Sequence, residues 1–367
     1  MPKKERIAEF DTQEMSFMST SSSKKIKLGL LSNYEDSEET RFLLTPEACG
    51  LLSSMGYEVL MQSKAAINIS YTDDDYRGND VKVVDREEVI KSDIIISVRP
   101  LKPRDIRKMN KESVLLCLSD TTIFEEKVIK AMIEAKVTCI CLDNMQSGNG
   151  VPIFAQIIDE IDGRAAVMYA QEGLSFLGEG KGVLLSGVAG INPCEVLVIG
   201  EGWRAVSAAK AALSAGAKVT LMDNDVSALH EAQQVCGDRL TTCAIHPRVL
   251  FNAVKTADVI MLDNCSRNFE FPEQLATIMK ENVYIIDLTN TSPSLSVPRT
   301  VAMAISNVMI NFLNETIIKG GMTNQIASSM GVQSGVVTFK GNLVDTLIGI
   351  HLGLPCSDIT MLSTSIN

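Results

Sequence analysis

Histidine is nearly missing from this chain: three occur in 367 residues, and none precedes His230. It is the side chain whose ordinary pKa lies nearest neutrality, so proton transfer in the N-terminal half would have to rest on other groups. None of the three has a partner at ligand spacing, and the nine cysteines include no Cys-x-x-Cys pair, which excludes the usual metal-site patterns. Basic residues are in deficit, 34 lysines and arginines against 45 acids for a net charge of −11, and phosphate-rich nucleic acid is not an expected partner. No apolar stretch reads as long and uncharged enough to span a membrane. The first 25 residues lack the apolar core and cleavage site of a secretion signal, and residues 1–25 read as a flexible tail. An odd number of scattered cysteines fits reduced thiols and a cytoplasmic location.

What is present is a well-packed globular composition, 46% hydrophobic and 22% charged, in a chain long enough for two domains. Short apolar runs read as strands at Ile26–Leu31, Tyr57–Met61, Asp93–Val98, Ser113–Leu118 and Val137–Leu142. Charged helical stretches such as Glu125–Ala135 separate them. Alternation of strand and helix signals a parallel α/β sheet. The pattern resumes at Val259–Leu262 and Val283–Asp287. Two long helices are expected, over Ile153–Leu177 and Thr300–Ile318, and the final segment, Gly320–Asn367, reads as loop and helix. The fold expected is α/β, two Rossmann-like domains with parallel sheets, linked by the two long helices around a cleft. Residues 26–152 plus 312–367 are expected to form a substrate domain, and 153–311 an NAD(H)-binding domain.

The most informative segment is the run Glu195–Ile199 followed by Gly200-x-Gly202-x-x-Ala205, an alanine-rich helical stretch, and a second run ending in Asp223. That order fits a dinucleotide-binding βαβ unit. Gly200 permits the tight turn, Gly202 lets the backbone approach a pyrophosphate, and the small Ala205 lets helix and strand pack closely. Asp223 stands where a carboxylate accepts hydrogen bonds from a ribose and repels a 2′-phosphate, which favours NAD over NADP. Trp203 and Arg204 are bulky for this turn; Arg204 either contacts a phosphate or is a solvated first-turn side chain.

Beyond this fingerprint, the chain resembles the family of alanine dehydrogenase and the alpha subunit of NAD(P) transhydrogenase. Gly182-Val-Leu-Leu-Ser-Gly-Val-Ala-Gly-Ile-Asn-Pro193 is similar to the family's GVLLGGVPGV-x-P. Glu39-Thr-Arg41-Phe-Leu-Leu-Thr-Pro46 is similar to E-x-R-V-A-L-T-P, Asp159–Arg164 to S-E-V-A-G-R, and Val297–Thr300 to A-V-P-R-T. The resemblance implies hydride transfer between NAD(H) and an amino acid, 2-oxo acid or imine. It also implies a small carboxylate-bearing substrate and a homo-oligomer, dimer or hexamer.

The same resemblance exposes departures. Arg41 falls on the family arginine that holds the substrate carboxylate, unless it is a surface arginine beside Glu38 and Glu39. Arg99 stands near the family lysine's place. Ser119 stands where the family has its histidine, and Thr291 where it has its aspartate; the loop before Val297 is shortened. Asp120, or water held by Ser119, is the replacement acid on offer. In a transhydrogenase-like reading, Gln156 hydrogen-bonds the nicotinamide amide; otherwise it faces solvent or caps its helix. The expectation is thus an oxidoreductase of the alanine dehydrogenase type with its acid/base residues replaced. The alternatives are a degenerate NAD(H)-binding sensor or regulatory subunit, or a transhydrogenase-like component.

Overall fold

The protein is described by a computed structural model covering residues 25–32, 38–119, 123–200, 202–263 and 272–364. The proposed tail before residue 25, and Asp120, lie outside the described residues.

Two sheets organise the chain. The first contains β1 (Ile26–Leu30), β2 (Tyr57–Gln62), β3 (Lys82–Val84), β4 (Ile94–Ser97), β5 (Val114–Cys117) and β6 (Thr138–Cys141). The second contains β7 (Glu195–Ile199), β8 (Lys218–Asp223), β9 (Thr241–Ala244), β10 (Val259–Leu262) and β11 (Tyr284–Asp287). Late in the chain, β12 (Val336–Phe339) and β13 (Asn342–Leu343) return to the first sheet. The orders are β13-β12-β6-β5-β4-β1-β2-β3 and β11-β10-β7-β8-β9. All pairings are parallel except those of β12, which runs antiparallel to both β6 and β13. Strands β4, β5 and β6 are buried along their whole length, which is why they read as unbroken apolar runs. Reading the final segment as loop and helix was wrong: Val336-Val-Thr-Phe339 is a buried strand. Its four residues are short enough to be mistaken for a helix start.

The two long helices form at Ile153–Leu174 and Pro298–Ile318. The first belongs to both halves: Phe154, Ile158 and Ile161 pack in the core of the first sheet, and Ala166, Val167, Ala170 and Leu174 in that of the second. The second long helix packs with the first sheet from Val301 to Leu313, so a boundary at 311/312 falls inside an element buried in one core. This helix is also long and apolar enough to cross a membrane by length and composition, contrary to the expectation that no stretch would be. One face of it is buried in the core of the first sheet, where Tyr57 donates to the Leu313 carbonyl and the Thr45 amide to the Ser306 hydroxyl.

Where the first long helix meets the alanine-rich helix Trp203–Ser214, the contact is backbone to backbone. A Cβ added at Gly163 would lie 2.4 Å from the Arg204 carbonyl and 2.7 Å from the Ala208 nitrogen. Ala205, Ala208, Ala209 and Ala212 keep the facing surface equally small and are buried. Those clashing atoms are main chain and cannot rotate away. Gly163→Val is therefore expected to destabilise the fold by about 3 kcal/mol, at the upper end of ordinary overpacking. Gly148→Ala, where a Cβ meets nothing within 4 Å, serves as the neutral control. Equal thermal midpoints for the two variants would show that the helices separate freely.

Candidate functional site

Ligands in open α/β sheets collect at the C-terminal ends of strands, and the residues singled out in the sequence lie there in both sheets. After β1 the chain bends through Glu39 and Arg41; Arg99 follows β4 and Ser119 follows β5. The structure brings Arg41 and Arg99 together on a third residue. Arg41 donates from Nε to Glu39 Oε1 and from Nη2 to Oε2, both at 2.8 Å, and Arg99 Nε lies 3.3 Å from Oε2. The Glu39 side chain is fully buried and that of Arg41 only 13% exposed, so the surface-arginine alternative does not hold. Burial pushes the Glu39 carboxyl up, but the bidentate arginine and its charge outweigh this and hold it below the usual carboxylate range. Glu39 was not among the site candidates; the signal was its place two residues before Arg41, in chain that is neither helix nor strand.

Ser119 is nearly buried and donates its hydroxyl proton to the Val98 carbonyl at 2.8 Å. That bond ties the ends of β4 and β5 together. Thr291 donates its hydroxyl to the Asp287 carbonyl, while the Asp287 carboxylate accepts from the amides of Thr289 and Asn290. Both residues are engaged in shaping the turn after β11. His230 and His246 are exposed, away from the strand ends of the first sheet.

In the second half, Gly200 adopts φ +137°, a conformation that L side chains rarely take. Gly202 is the N-cap of the alanine-rich helix and supplies no side-chain cap; Ala205, in its first turn, is buried. Asp223 is buried at the end of β8 and accepts from the Asp225 amide at 2.7 Å. A tight glycine turn, a helix start without its own cap and an acid ending the next strand are the parts that hold a dinucleotide. These residues fit NAD(H). Trp203 packs against the core of this half, and its buried indole N–H finds no hydrogen-bond partner among the described residues.

Arg204 is not the solvated first-turn side chain that one alternative expected. It donates from Nε and Nη2 to Asp159 Oδ1, at 3.1 and 2.8 Å, and from Nη1 to the Leu288 carbonyl at 2.5 Å. Its nitrogens also lie 3.7 Å from Asp162 and 4.0 Å from Asp263. Burial alone would lower its pKa; the carboxylates of Asp159, Asp263 and Asp162 raise it. Asp162 is 1% exposed and accepts from the Ser294 amide at 2.7 Å, and burial pushes its carboxyl up from the ordinary value. Gln156 lies half-buried in the first turn of the same helix and does not cap it. Asp162 and Asp263 escaped the sequence reading. Asp263 had a legible signal, since it directly follows the apolar run Val259–Leu262. Among the described residues no cluster of His, Cys, Asp and Glu is arranged to hold a metal.

Residues 33–157 match the alanine dehydrogenase/PNT N-terminal domain family, and residues 166–262 the corresponding C-terminal domain family. The chain is 25% identical over 353 residues to an alanine dehydrogenase of Bacillus subtilis, covering 86% of this chain and 92% of that one. It is 30% identical over 227 residues to an alanine dehydrogenase of Methanococcus maripaludis, 61% of this chain and 60% of the relative. Among solved structures, an L-alanine dehydrogenase superimposes with a TM-score of 0.80 at 20% identity, over 89% of this chain and 98% of that one. A transhydrogenase from Sinorhizobium meliloti gives 0.73 at 16% identity, over 88% and 99%.

The Glu39 pairing generates a pH prediction. A carboxyl depressed in the folded chain contributes its full stability above its unfolded pKa, about 4.3. That contribution is lost as the pH falls through the lower folded value. Glu39→Gln is expected to be less stable than the parent by about 3 kcal/mol at pH 7, the cost of leaving a partly buried arginine cluster without its carboxylate. Urea midpoints of the two proteins should converge as the pH falls below 4; a gap independent of pH would show that Glu39 is not ionised in the folded protein.

Proposed function

The chain belongs to the alanine dehydrogenase/PNT family and is an NAD(H)-dependent oxidoreductase by that membership; from this premise we propose that it moves a hydride between nicotinamide and a small carboxylate-bearing substrate, an amino acid/2-oxo acid pair or an imine. One observation carries the proposal: Arg41 and Arg99, from separate strand ends, already converge on a single carboxylate. A pair of guanidinium groups that grips Glu39 has the spacing to grip a substrate carboxylate brought to the same place.

When bound, NAD(H) supplies the hydride donor or acceptor. The chain's own residues position and neutralise. Arg41 and Arg99 orient the carboxylate, which requires Glu39 to share or yield its place. Proton handling in this reading belongs to Asp120, or to water near Ser119. Asp162 is a further candidate among the described residues, a buried carboxyl pushed upward in pKa beside Arg41. The substrate half is taken as 26–152 plus 312–367 and the cofactor half as 153–311, with the first long helix shared and the second packed from Val301 in the core of the first sheet. A cytoplasmic homo-oligomer, dimer or hexamer, goes with the reading. The exposed apolar side chains Phe176, Leu177, Leu184 and Ile191 suit a subunit contact.

A second reading, a degenerate NAD(H)-binding sensor or regulatory subunit, is favoured by a different observation. Serine stands in the family histidine's place, and its proton is already donated to Val98. A transhydrogenase-like NAD(H)-binding component is a weaker form of the same idea.

One experiment separates them. NADH is titrated against the fluorescence of Trp203, the sole tryptophan, and pyruvate plus ammonia, then other 2-oxo acids, are added while NADH absorbance is followed. Saturable binding with NADH consumption is expected, and Arg99→Ala should raise the KM for the 2-oxo acid about tenfold, the loss of one charge-assisted contact. Binding without turnover across the panel would favour the sensor, and no binding would sink both readings.

A further inference from the structure

The helix that begins at Trp203 has no cap of its own, because its N-cap residue is Gly202. Its amide donors therefore need an outside acceptor, and in a dinucleotide site that acceptor is the pyrophosphate. Here the chain supplies one. The Asp263 amide donates to the Ile199 carbonyl at 2.8 Å, extending the β7–β10 ladder by one bond and pinning residue 263 beside the glycine turn. The approach is so close that a Cβ on Gly200 would lie 2.0 Å from the Asp263 carbonyl. From this position the Asp263 carboxylate accepts from the Ala205 amide at 3.2 Å, with Arg204 Nη1 4.0 Å away. Asp263 is 1% exposed.

We propose that Asp263 is a built-in competitor for the dinucleotide's pyrophosphate, and so a residue that sets the affinity for NAD(H). The proposal rests on the dinucleotide reading of the second half. A carboxylate already on the Ala205 amide occupies one first-turn donor and sits at the favourable end of the helix dipole that a phosphate would use. A phosphate arriving there must either displace the cap or accept a like charge at close range. The neighbouring arginine does not remove the conflict, because Asp159 takes two of its N–H groups. Dinucleotide binding is weaker than the glycine turn alone would provide, and the restraint falls on the phosphates, not on the adenosine.

The test compares wild type, Asp263→Asn and Asp263→Ala in fluorescence titrations with NADH, ADP-ribose and adenosine. Asparagine keeps the volume and a capping oxygen without the charge; alanine removes both. Arg204 retains Asp159 and Asp162 in each variant, and thermal unfolding checks that the folds are kept. The expected result is that both variants bind NADH and ADP-ribose about tenfold more tightly, equivalent to about 1.4 kcal/mol, while adenosine changes by less than about twofold. Unchanged or weaker NADH binding in both variants, with wild type binding normally, would overturn the proposal and leave the dinucleotide reading standing. An equal gain for adenosine would overturn it too, by placing the effect away from the phosphates. Absence of NADH binding in all three proteins would instead remove the dinucleotide reading, and the proposal with it.

Discussion

One guanidinium holds the centre of this molecule. Arg204 reaches from the start of the alanine-rich helix to Asp159 and Asp162 on the first long helix, to Asp263 after β10, and to the Leu288 carbonyl after β11. Two helices and two strand ends of the second sheet therefore meet at a single cation. The helices can meet there only because Gly163 has no side chain to keep the Arg204 backbone away. Charges withdrawn from water are expensive unless paired, and the pairing is uneven, three carboxylates against one arginine. Asp162 relieves part of the excess: burial favours its neutral form, and the Ser294 amide takes up one of its oxygens.

Pairing of donors with the chain's own acids recurs at the strand ends of both sheets. At the strand ends of the first sheet, Arg41 and Arg99 face a carboxylate, and it is the chain's own Glu39. At the glycine turn of the second sheet, a helix start faces a carboxylate, and it is the chain's own Asp263. In the proposed reading, both places where an anionic ligand docks already hold a carboxylate of the chain that accepts from donors there. Exchange at such a site replaces one charge-assisted contact by another, so the net gain on binding is smaller than a count of contacts suggests.

The sequence made the framework legible because the signals were local. Ile94-Ile-Ile-Ser97 and Glu195–Ile199 are apolar runs whose burial needs no partner to be guessed, and Gly200, Gly202 and Ala205 are tied to one turn. Both long helices formed within about two residues of their expected starts, since helical periodicity over about twenty residues is a strong signal. What escaped was set by distance along the chain. Val336–Phe339 is too short to declare itself and becomes a strand by pairing with β6, nearly two hundred residues earlier. Arg204 looked solvated because its acids at 159, 162 and 263 are neighbours only after folding. Glu39 looked like one more surface acid until Arg99 arrived from another strand to share it.

The charge knot also explains why fold and chemistry can diverge in this chain. What packs the helices and strand ends around the second sheet is main-chain contact at Gly163 and Gly200 and the small faces of the alanines, and none of these depends on a proton-transfer group. A histidine at position 119 is not needed to tie β4 to β5, because a serine hydroxyl on the Val98 carbonyl does so. The acids are less dispensable. Removing Arg204 would take a shared guanidinium from Asp159, Asp162 and Asp263 at once, whereas removing any one of the three leaves the arginine paired. Coupling of this kind makes the four residues act as a unit whose individual contributions do not add.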